Sequence, residues 1–337
     1  MITKICFDKF TAFNELEIPF SEGINILIGE NATGKTHIMK AIYAAACVID
    51  TKEERTFDQK LTAVFRPNSV GRLVHRGQGR KSGRLEIFRR NDGESSERSI
   101  TCKITTLNRT EIVKRRWTED RRNPATYIPV KDMLANAPGF RSLYSQKHIG
   151  YEEIYADIID RALIPATKGK PTVERARLLR ILSEAISGRV IEKNETFYLK
   201  NASGELEFPL LAEGFRKLGL LYTLITNDSL ISGSVLFWDE PEANLNPKLA
   251  SKVAQVLVEL QRMGVQIFFA THDYSLLKEV ELASKPGDKV TYHSLYRKSD
   301  GDIGHESALS LAALVNNPIR DSFDSLLDRE LDNEYPG

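Results

Sequence analysis

Short, continuous apolar runs along the chain alternate with longer stretches whose apolar residues recur at helical spacing. The run INILI at residues 24–28 is rich in β-branched residues, and helix-forming HIMKAIYAAACVI follows eight residues later. Two similar runs, VLFWD at 235–239 and QIFFAT at 266–271, occur in the last third of the chain. Continuous apolar runs of this length are typical of strands buried in a parallel sheet, so the pattern predicts an α/β core.

The pattern changes twice between these runs. From Arg84 to Trp117, short β-rich runs separated by Asn, Asp, Gly and Ser turns predict a small antiparallel sheet. From Gly139 to about Gly188, two segments with apolar residues at helical spacing predict helices that break at PATKGKP. The run VIEKNETFYLKNASGELEFPL then predicts a hairpin that turns at residues 201–204.

The eight residues after the first apolar run, Gly29 to Thr36, read GENATGKT and match the spacing G-x-x-x-x-G-K-T. A strand before such a loop and a helix after it are the context in which it binds phosphates. Glycines let phosphate oxygens approach backbone N–H groups at a helix N-terminus, where the dipole favours negative charge. Lys35 can reach the β- and γ-phosphates, and Thr36 can offer its hydroxyl to Mg²⁺. The motif predicts a nucleoside triphosphate site; the alternative is a glycine turn before an ordinary helix.

A second candidate site lies where the run VLFWDE ends in Asp239 and Glu240. There Asp239 can hold Mg²⁺ through water, and Glu240 can orient or deprotonate the water that attacks the γ-phosphate. His272 stands just past QIFFAT, which we expect after a short helix and turn, and we interpret it as a γ-phosphate sensor. The alternatives are an ordinary strand end and a surface or capping histidine.

Composition places few further limits on this interpretation. Charged residues make up 28% and apolar residues 41% of the 337 residues, which is enough for a substantial core. Cys6, Cys47 and Cys102 are too few and too scattered for a disulfide framework or a thiolate metal site. No stretch approaches the roughly 18 apolar residues of a membrane helix, and the N-terminus lacks a signal-peptide pattern. We therefore expect a cytoplasmic protein with no membrane partner.

The net charge of +1 conceals an uneven distribution. Residues 66–122 contain 16 Lys/Arg and 7 Asp/Glu, whereas residues 300–337 contain 2 and 9. The acidic end is most simply a solvated, partly disordered segment. The basic region could be a nucleic-acid surface on which Trp117 stacks against a base, or it could be the solvated face of β-hairpins. Its basic residues include Arg72, Arg76, Arg80, Lys81, Arg84, Lys114, Arg115, Arg116, Arg121 and Arg122.

Together these motifs resemble the ATP-binding-cassette ATPase superfamily. More narrowly they resemble its soluble branch, which includes the SMC and RecF proteins and the ATPase half of the overcoming-lysogenization-defect proteins. The most specific match is the opening FDKFTAFNELEIPFSEGINILIGENATGKT. The run DEPEANLNP at 239–247 resembles the branch's Walker B motif and D-loop, whose residues 244–246 would face a partner.

The resemblance implies ATP and Mg²⁺ as ligands. It also implies a homodimer or higher oligomer in which each ATP lies between one chain's glycine loop and the other chain's signature loop. The implied catalytic residues are Glu240 and His272, and the implied metal ligands are Thr36 and Asp239. The implied nucleotide-binding residues, of which Lys9, Phe10 and Phe13 would lie near the base, are Gly29, Glu30, Asn31, Ala32, Thr33, Gly34, Lys35, Thr36, Lys9, Phe10, Phe13 and Gly214.

The signature loop departs from the family pattern. Where a Leu-Ser-Gly-Gly-Gln type sequence is usual, the chain reads LAEGFRKLG, with Ala212 in place of the serine and a predicted helix running toward Thr226. Gly214 would still let the backbone approach a phosphate, and Arg216 and Lys217 could supply positive charge instead. The alternative is an amphipathic helix with a basic face.

The glutamine loop departs as well. It would follow the strand in ATYIPVKDM, but Lys131 and Asp132 occupy the expected position. The remaining candidates are Gln59, Gln78 and Gln146, among which the sequence does not decide.

The predicted fold class is therefore α/β, a P-loop NTPase core of ATP-binding-cassette type with an antiparallel β-lobe and a short helical arm. We assign residues 1–138 and 205–298 to the ATPase core, with the lobe at about 60–125. Residues 139–204 would form the helical arm and a hairpin insertion, and residues 299–337 an acidic C-terminal segment.

Three functions remain open. The first is an ATPase that dimerises around ATP and regulates a DNA-directed or antiviral defence effector in trans, as in AAA-type ATPases of bacterial or phage defence systems. The 65 residues after His272 leave no space for a fused nuclease domain, so we expect a separate, nuclease-like effector subunit. The second is a non-hydrolysing, ATP-dependent scaffold, which Ala212 and the missing glutamine favour. The third is the nucleotide-binding subunit of a transporter, against which the K-F-x-x-F turn and the D-loop argue.

Overall fold

A computed structural model describes residues 1–50, 53–91, 93–118, 124–146 and 149–334. The strands are β1 (Ile2–Phe10), β2 (Phe13–Pro19), β3 (Ile24–Gly29), β4 (Ser82–Arg89), β5 (Arg98–Thr105), β6 (Thr110–Arg115), β7 (Ala125–Ile128), β8 (Arg189–Lys193), β9 (Thr196–Asn201), β10 (Gly204–Glu207), β11 (Val235–Asp239), β12 (Gln266–Thr271), β13 (Val290–Arg297) and β14 (Ile303–Ala308). The helices are α1 (Lys35–Cys47), α2 (Phe57–Phe65), α3 (Phe140–Ser145), α4 (Glu153–Ala162), α5 (Val173–Ala185), α6 (Glu213–Thr226), α7 (Pro247–Arg262), α8 (Tyr274–Ala283) and α9 (Pro318–Glu334).

The main sheet has six strands in the order β14-β13-β3-β12-β11-β7. The pairs β13–β3, β3–β12, β12–β11 and β11–β7 are parallel, and only β14 runs antiparallel to its neighbour. Every residue of β3, β11 and β12 is buried, which explains their continuous apolar runs. The predicted α/β core is confirmed.

The predicted β-lobe is larger than the pattern indicated. Its antiparallel sheet has the order β2-β1-β4-β5-β6, so the first two strands of the chain belong to it. Alternate residues of β4 are buried, among them Leu85 and Ile87, and they pack in one cluster with Ile5 and Phe7 of β1. Because β2 leads directly to β3, the lobe is joined to the strand that precedes the glycine loop.

The helical segment is present as predicted, but it packs on the core instead of extending from it as an arm. Leu178 and Leu182 of α5 are completely buried in the same cluster as Ile26 of β3 and Leu257 of α7. The strand pattern that follows forms two hairpins, β8–β9 and β9–β10, the second of which turns at residues 201–204 as predicted. The division of the chain into domains remains a prediction.

The C-terminal region differs from the predicted acidic segment. The strand pair β13–β14 crosses the predicted boundary at residue 298, so β14 is an edge strand of the main sheet. Residues 318–334, interpreted as a solvated and partly disordered end, form the exposed helix α9, whose Phe323 ring stacks on Tyr274 at 4.7 Å. Among the described residues, no helix is both long enough and apolar enough to cross a membrane.

Candidate functional site

Three parallel strands end at the same edge of the main sheet and bring the candidate residues together. β3 ends at Gly29, β11 at Asp239 and β12 at Thr271, and β12 lies between the other two. The helix before His272 is α7, whose 16 residues make it longer than the short helix expected. Carboxyl ends of parallel strands are where open α/β sheets bind ligands, so the topology itself defines the site.

Gly29 and Gly34 have backbone conformations that other residues rarely adopt, with φ of 148° and 93°. A Cβ at Gly29 would lie 2.3 Å from the carbonyl oxygen of Leu295, and one at Gly34 would lie 2.4 Å from Cζ of Phe13. The glycine loop is therefore held closely between β13 and the first residue of β2. Glu30, Asn31 and Ala32 are exposed at its tip, and Thr33 is buried, its hydroxyl donating to the Glu30 carbonyl at 2.9 Å.

Lys35 is the first residue of α1, and its amine folds back into the loop. Nζ donates to the carbonyl oxygens of Gly29 at 2.6 Å and Glu30 at 2.9 Å. Burial lowers the pKa of Lys35, and the nearby carboxylates of Glu240, Asp239 and others counteract this shift. The amine thus lies where phosphate oxygens would enter the loop, with the Walker B carboxylates in electrostatic range.

Asp239 connects three elements of the site. Its carboxylate accepts hydrogen bonds from the Thr36 hydroxyl at 2.9 Å and from the hydroxyl of Tyr127 in β7 at 3.2 Å. Burial raises the pKa of Asp239, and both hydrogen bonds act in the opposite direction. The two oxygen ligands predicted for Mg²⁺ are therefore adjacent. Sequence analysis missed Tyr127, because only the pairing of β7 with β11 brings it there.

Glu240 and His272 face each other across the β11–β12 edge. Nδ1 of His272 lies 3.5 Å from Oε1 of Glu240, and the two side chains are 48% and 29% exposed. Glu242, which the sequence did not single out, accepts hydrogen bonds from the Thr271 hydroxyl at 2.6 Å and from the His272 N–H at 3.3 Å. Burial raises the pKa of Glu242, and these hydrogen bonds oppose the shift. Glu242 thus fixes the backbone that carries His272.

The signature helix α6 runs from Glu213 to Thr226, which confirms the predicted helix toward Thr226, and Ala212 is exposed at its N-cap. Gly214 is buried, and a Cβ there would lie 3.1 Å from Leu245 and 3.3 Å from the carbonyl oxygen of Asn244. The Asn244 side chain also donates to Glu213 at 2.9 Å. Gly214 therefore packs against the D-loop of its own chain. The exposed residue at this end of the helix is Ala212.

Arg216 and Lys217 do not supply free positive charge to the signature loop. Arg216 forms an ion pair with the buried Asp132 at 2.8 Å and donates to the Leu211 carbonyl at 3.0 Å. Lys217 is 2% exposed and donates to backbone carbonyls of its own D-loop. Their charges are satisfied within the chain, which corrects that expectation.

No candidate for the glutamine loop lies at the site in the described part of the chain. The Gln59 side chain accepts from the N–H of Thr56 in the capping box of α2. The Gln146 side chain donates to Ser142 in its own helical turn, and Gln78 is exposed in the loop before β4. The expected position after β7 holds Asp132, which is occupied by its ion pair with Arg216.

Contact of Phe10 and Phe13 with a nucleotide base is not supported. Phe10 is 0% and Phe13 1% exposed, because both rings pack with Phe7 inside the lobe. The Phe13 ring packs against Gly34 of the glycine loop. Of the three predicted base neighbours only Lys9 has an exposed side chain, at 50%.

Most charged side chains of the basic region of the lobe are exposed, whereas its aromatic ring is buried. Trp117 is 1% exposed, donates from Nε1 to the Ala45 carbonyl at 3.0 Å and lies under the guanidinium of Arg89 at 5.3 Å. It therefore cannot stack on a base, which corrects that prediction. Arg121 and Arg122 lie outside the described residues. Of the other basic residues named in the sequence analysis, those that are exposed are Arg72, Arg76, Arg80, Arg84, Lys114, Arg115 and Arg116.

The sequence of this site matches a known family. The family described as "AAA domain, putative AbiEii toxin, Type IV TA system" matches residues 24–278, from β3 into α8. The chain belongs to this AAA-domain family. Both the phosphate loop and the carboxylate strand of the site lie inside the matched range.

Curated relatives and solved structures extend the comparison. RecF, the DNA replication and repair protein, of Streptococcus suis strain 05ZYH33 is 38% identical over 73 residues, which cover 21% of this chain and 19% of RecF. RecF of Clostridium botulinum strain Eklund 17B is 30% identical over 106 residues, 32% of this chain and 28% of RecF. The matches thus span less than a third of these RecF proteins.

The fold is that of SMC heads. The SMC head bound to the C-terminal winged-helix domain of ScpA superposes with a TM-score of 0.61 at 15% identity, over 93% of this chain and 98% of that one. The Pyrococcus yayanosii SMC head with a coiled coil and joint gives 0.60 at 11% identity, over 98% and 99%. This protein is therefore an AAA-domain ATPase by family, with the fold of SMC heads and local sequence similarity to RecF.

Proposed function

We propose that this ATPase binds ATP with Mg²⁺ at the carboxyl edge of the main sheet and hydrolyses it there. The observation that carries the proposal is the convergence of Lys35, Thr36, Asp239, Glu240 and His272 at the ends of β3, β11 and β12. Backbone N–H groups of the loop and the Lys35 amine would bind the β- and γ-phosphates. The Thr36 hydroxyl and the Asp239 carboxylate are hard oxygen donors that would lie beside the phosphates, and this ligand set fits Mg²⁺.

Hydrolysis requires an activated water on the γ-phosphate. We assign that role to Glu240, whose carboxylate would orient the water and accept its proton as the water oxygen bonds to phosphorus. The bond to the bridging oxygen breaks, and ADP and inorganic phosphate leave. His272, 3.5 Å from Glu240 and fixed through Glu242, is placed to donate a hydrogen bond to a γ-phosphate oxygen and so to sense its presence.

We further propose that the working unit is a head-to-tail dimer with ATP at the interface. In support, α6 begins at the surface, with Ala212 exposed at its N-cap and no side-chain hydrogen bond capping its first N–H groups. The first residues of α6 would bind the partner's γ-phosphate through N–H groups and the helix dipole, without the serine hydroxyl that Ala212 replaces. Asn244, exposed in the D-loop, would lie at the same interface.

The dimer would regulate a separate effector in trans. The family description names a toxin of a type IV toxin–antitoxin system, and the SMC head in one matched structure is bound to another protein, ScpA. We therefore propose a nuclease-like effector subunit in a bacterial or phage defence system. Isolation of the native complex from its host, followed by identification of the co-purifying chains, tests this part. Recovery of the ATPase alone would count against it.

Nucleic acid is the proposed signal, and the exposed basic residues of the lobe are its proposed contact. Lys114, Arg115 and Arg116 lie at the end of β6, an edge strand of the lobe. Replacing all three by alanine should weaken duplex DNA binding and reduce its salt dependence, because fewer phosphates are neutralised. A matched triple replacement of acidic residues on α9 should not. Equal binding by both variants would remove the lobe from the proposal.

Two other functions are separated by direct measurements. A non-hydrolysing scaffold is the second candidate, which Ala212 and the absence of a glutamine at the described site favour. Multiple-turnover phosphate release, measured with and without DNA, distinguishes it, since a scaffold binds ATP and closes without turnover. A transporter subunit is the third, and isolation with membrane proteins would support it.

A further inference from the structure

Lys217 has an unusual environment for a lysine. It lies on α6, one turn after the helix begins, and only 2% of its surface is exposed. Its Nζ donates to the carbonyl oxygen of Ala243 at 2.6 Å and approaches that of Glu240 at 3.4 Å. Both acceptors are backbone atoms of the turn that leaves the carboxylate strand β11.

Burying an ammonium group costs free energy, so its hydrogen bonds must provide something that an apolar residue would not. Burial lowers the pKa of Lys217, and the carboxylates of Glu213, Glu242, Glu240 and Asp132 counteract the shift. An apolar side chain could fill the same space between α6 and the D-loop without the desolvation penalty. This position therefore requires a hydrogen-bond donor, and the two carbonyl groups that Lys217 binds indicate its role.

The turn that Lys217 binds is strained. Glu240 has φ of 48° and Asn244 has φ of 61°, a left-handed conformation that residues other than glycine seldom adopt. The turn is closed by the N–H of Ala243, which donates to the Glu240 carbonyl at 3.1 Å. Lys217 thus binds the two carbonyls that belong to the first and fourth residues of this turn.

We propose that Lys217 is a positioning residue for hydrolysis: it fixes the backbone of Glu240, and with it the direction of the carboxylate, relative to helix α6. The inference rests on the proposed catalytic role of Glu240. In the proposed dimer, the start of α6 faces the partner's ATP, while Glu240 acts on the ATP of its own chain. Lys217 therefore connects the two ATP sites in which one chain takes part.

The test compares Lys217→Met with Lys217→Gln and with Lys285→Met, an exposed lysine after α8. Lys217→Met keeps the apolar stem and removes the donor; we expect kcat to fall about 100-fold because the carboxylate loses its orientation. MgATP affinity should stay within about 3-fold of the parent, because Lys217 touches no phosphate-binding group. Lys217→Gln, which keeps a donor, should give an intermediate kcat, and Lys285→Met should match the parent.

A second measurement separates positioning from a general loss of structure. In a Glu240→Gln background, adding Lys217→Met should cause no further loss of single-turnover hydrolysis, since its effect passes through the carboxylate already removed. Parent kcat in Lys217→Met, or equal losses of kcat and MgATP affinity, would overturn the inference. If Lys217→Met does not fold, parent kcat in Lys217→Gln would overturn it.

The outcomes also separate this inference from the proposed function. If Glu240→Gln hydrolyses ATP like the parent, the assignment of Glu240 fails and the role of Lys217 fails with it. If Glu240→Gln is inactive while Lys217→Met turns over normally, the site stands and only the positioning role is lost.

Discussion

The two halves of the proposed site differ in how far a single chain completes them. The glycine-loop half is assembled: Lys35 lies in the loop, Thr36 meets Asp239, and Glu240 meets His272. The signature half is bound to its own D-loop through Gly214, Lys217 and Asn244, and Ala212 is exposed at the N-terminus of α6. In the proposed dimer, the first half would bind the nucleotide of its own chain, and the second half would act on the nucleotide of the partner.

The largest expected effect is on the assembled half. Lys35→Ala should weaken ATP binding by about 100-fold or more, because the amine makes charge-assisted hydrogen bonds to phosphate. Titration with a fluorescent ATP analogue measures the affinity, and Lys285→Ala is the matched exposed control. Parent affinity in Lys35→Ala would show that the phosphates lie elsewhere.

Chemistry should be separable from binding within the same half. Glu240→Gln keeps the shape of the side chain and removes the carboxylate, so hydrolysis should fall about 100-fold or more while ATP affinity is kept. The ATP-bound dimer should accumulate and be visible by size-exclusion chromatography with light scattering. Glu330→Gln, an exposed change on α9, is the control. Turnover at the parent rate in Glu240→Gln would exclude it as the catalytic carboxylate.

Ala212→Asp tests whether the signature half acts on a partner. Aspartate is a favourable N-cap residue, so the variant's own stability should not fall, but its charge would oppose the partner's γ-phosphate. We expect hydrolysis to fall about 10-fold or more in Ala212→Asp and to be retained in the neutral isostere Ala212→Asn.

A mixture of one variant from the glycine-loop half and one from the signature half completes that test. In a dimer of Lys35→Ala and Ala212→Asp chains, one composite site carries both changes and the other carries neither, so activity should return. No recovery in verified mixed dimers, unless both sites must act together, would contradict the shared site. Full specific activity of a monomer would do so directly.

The smallest expected effect concerns the connection of the assembled half to the helical segment. Lys40, one turn after Thr36 on α1, forms an ion pair at 2.7 Å with Glu152 at the N-cap of α4, with side chains 11% and 30% exposed. A double-mutant cycle of Lys40→Met and Glu152→Gln, measured by urea unfolding, should give a coupling energy of about 1 kcal/mol. A coupling indistinguishable from zero would mean that the pair does not join the two elements.

Much of the fold could be predicted because its signals are local. The glycine loop is eight adjacent residues between a strand and a helix, and the helix that runs to Thr226 was predicted from a short run of sequence. The β-lobe was predicted too small, because β1 and β2 are joined to it by pairings with distant strands. The pairing of β14 with β13 across residue 298 was missed for the same reason, since it joins two separate strands.

The sequence by itself determined that a phosphate loop, a carboxylate strand and a histidine strand exist, because each is encoded in adjacent residues. Only the tertiary structure decided which side chains serve them. Phe10, Phe13 and Trp117, which the sequence offered as candidate base contacts, are buried and pack inside the protein. Strand order and helix packing brought Tyr127 to Asp239 and Lys217 to the carbonyl of Glu240. The physical reason is that solvent exposure and contacts between distant residues arise only when the sheets and helices pack together.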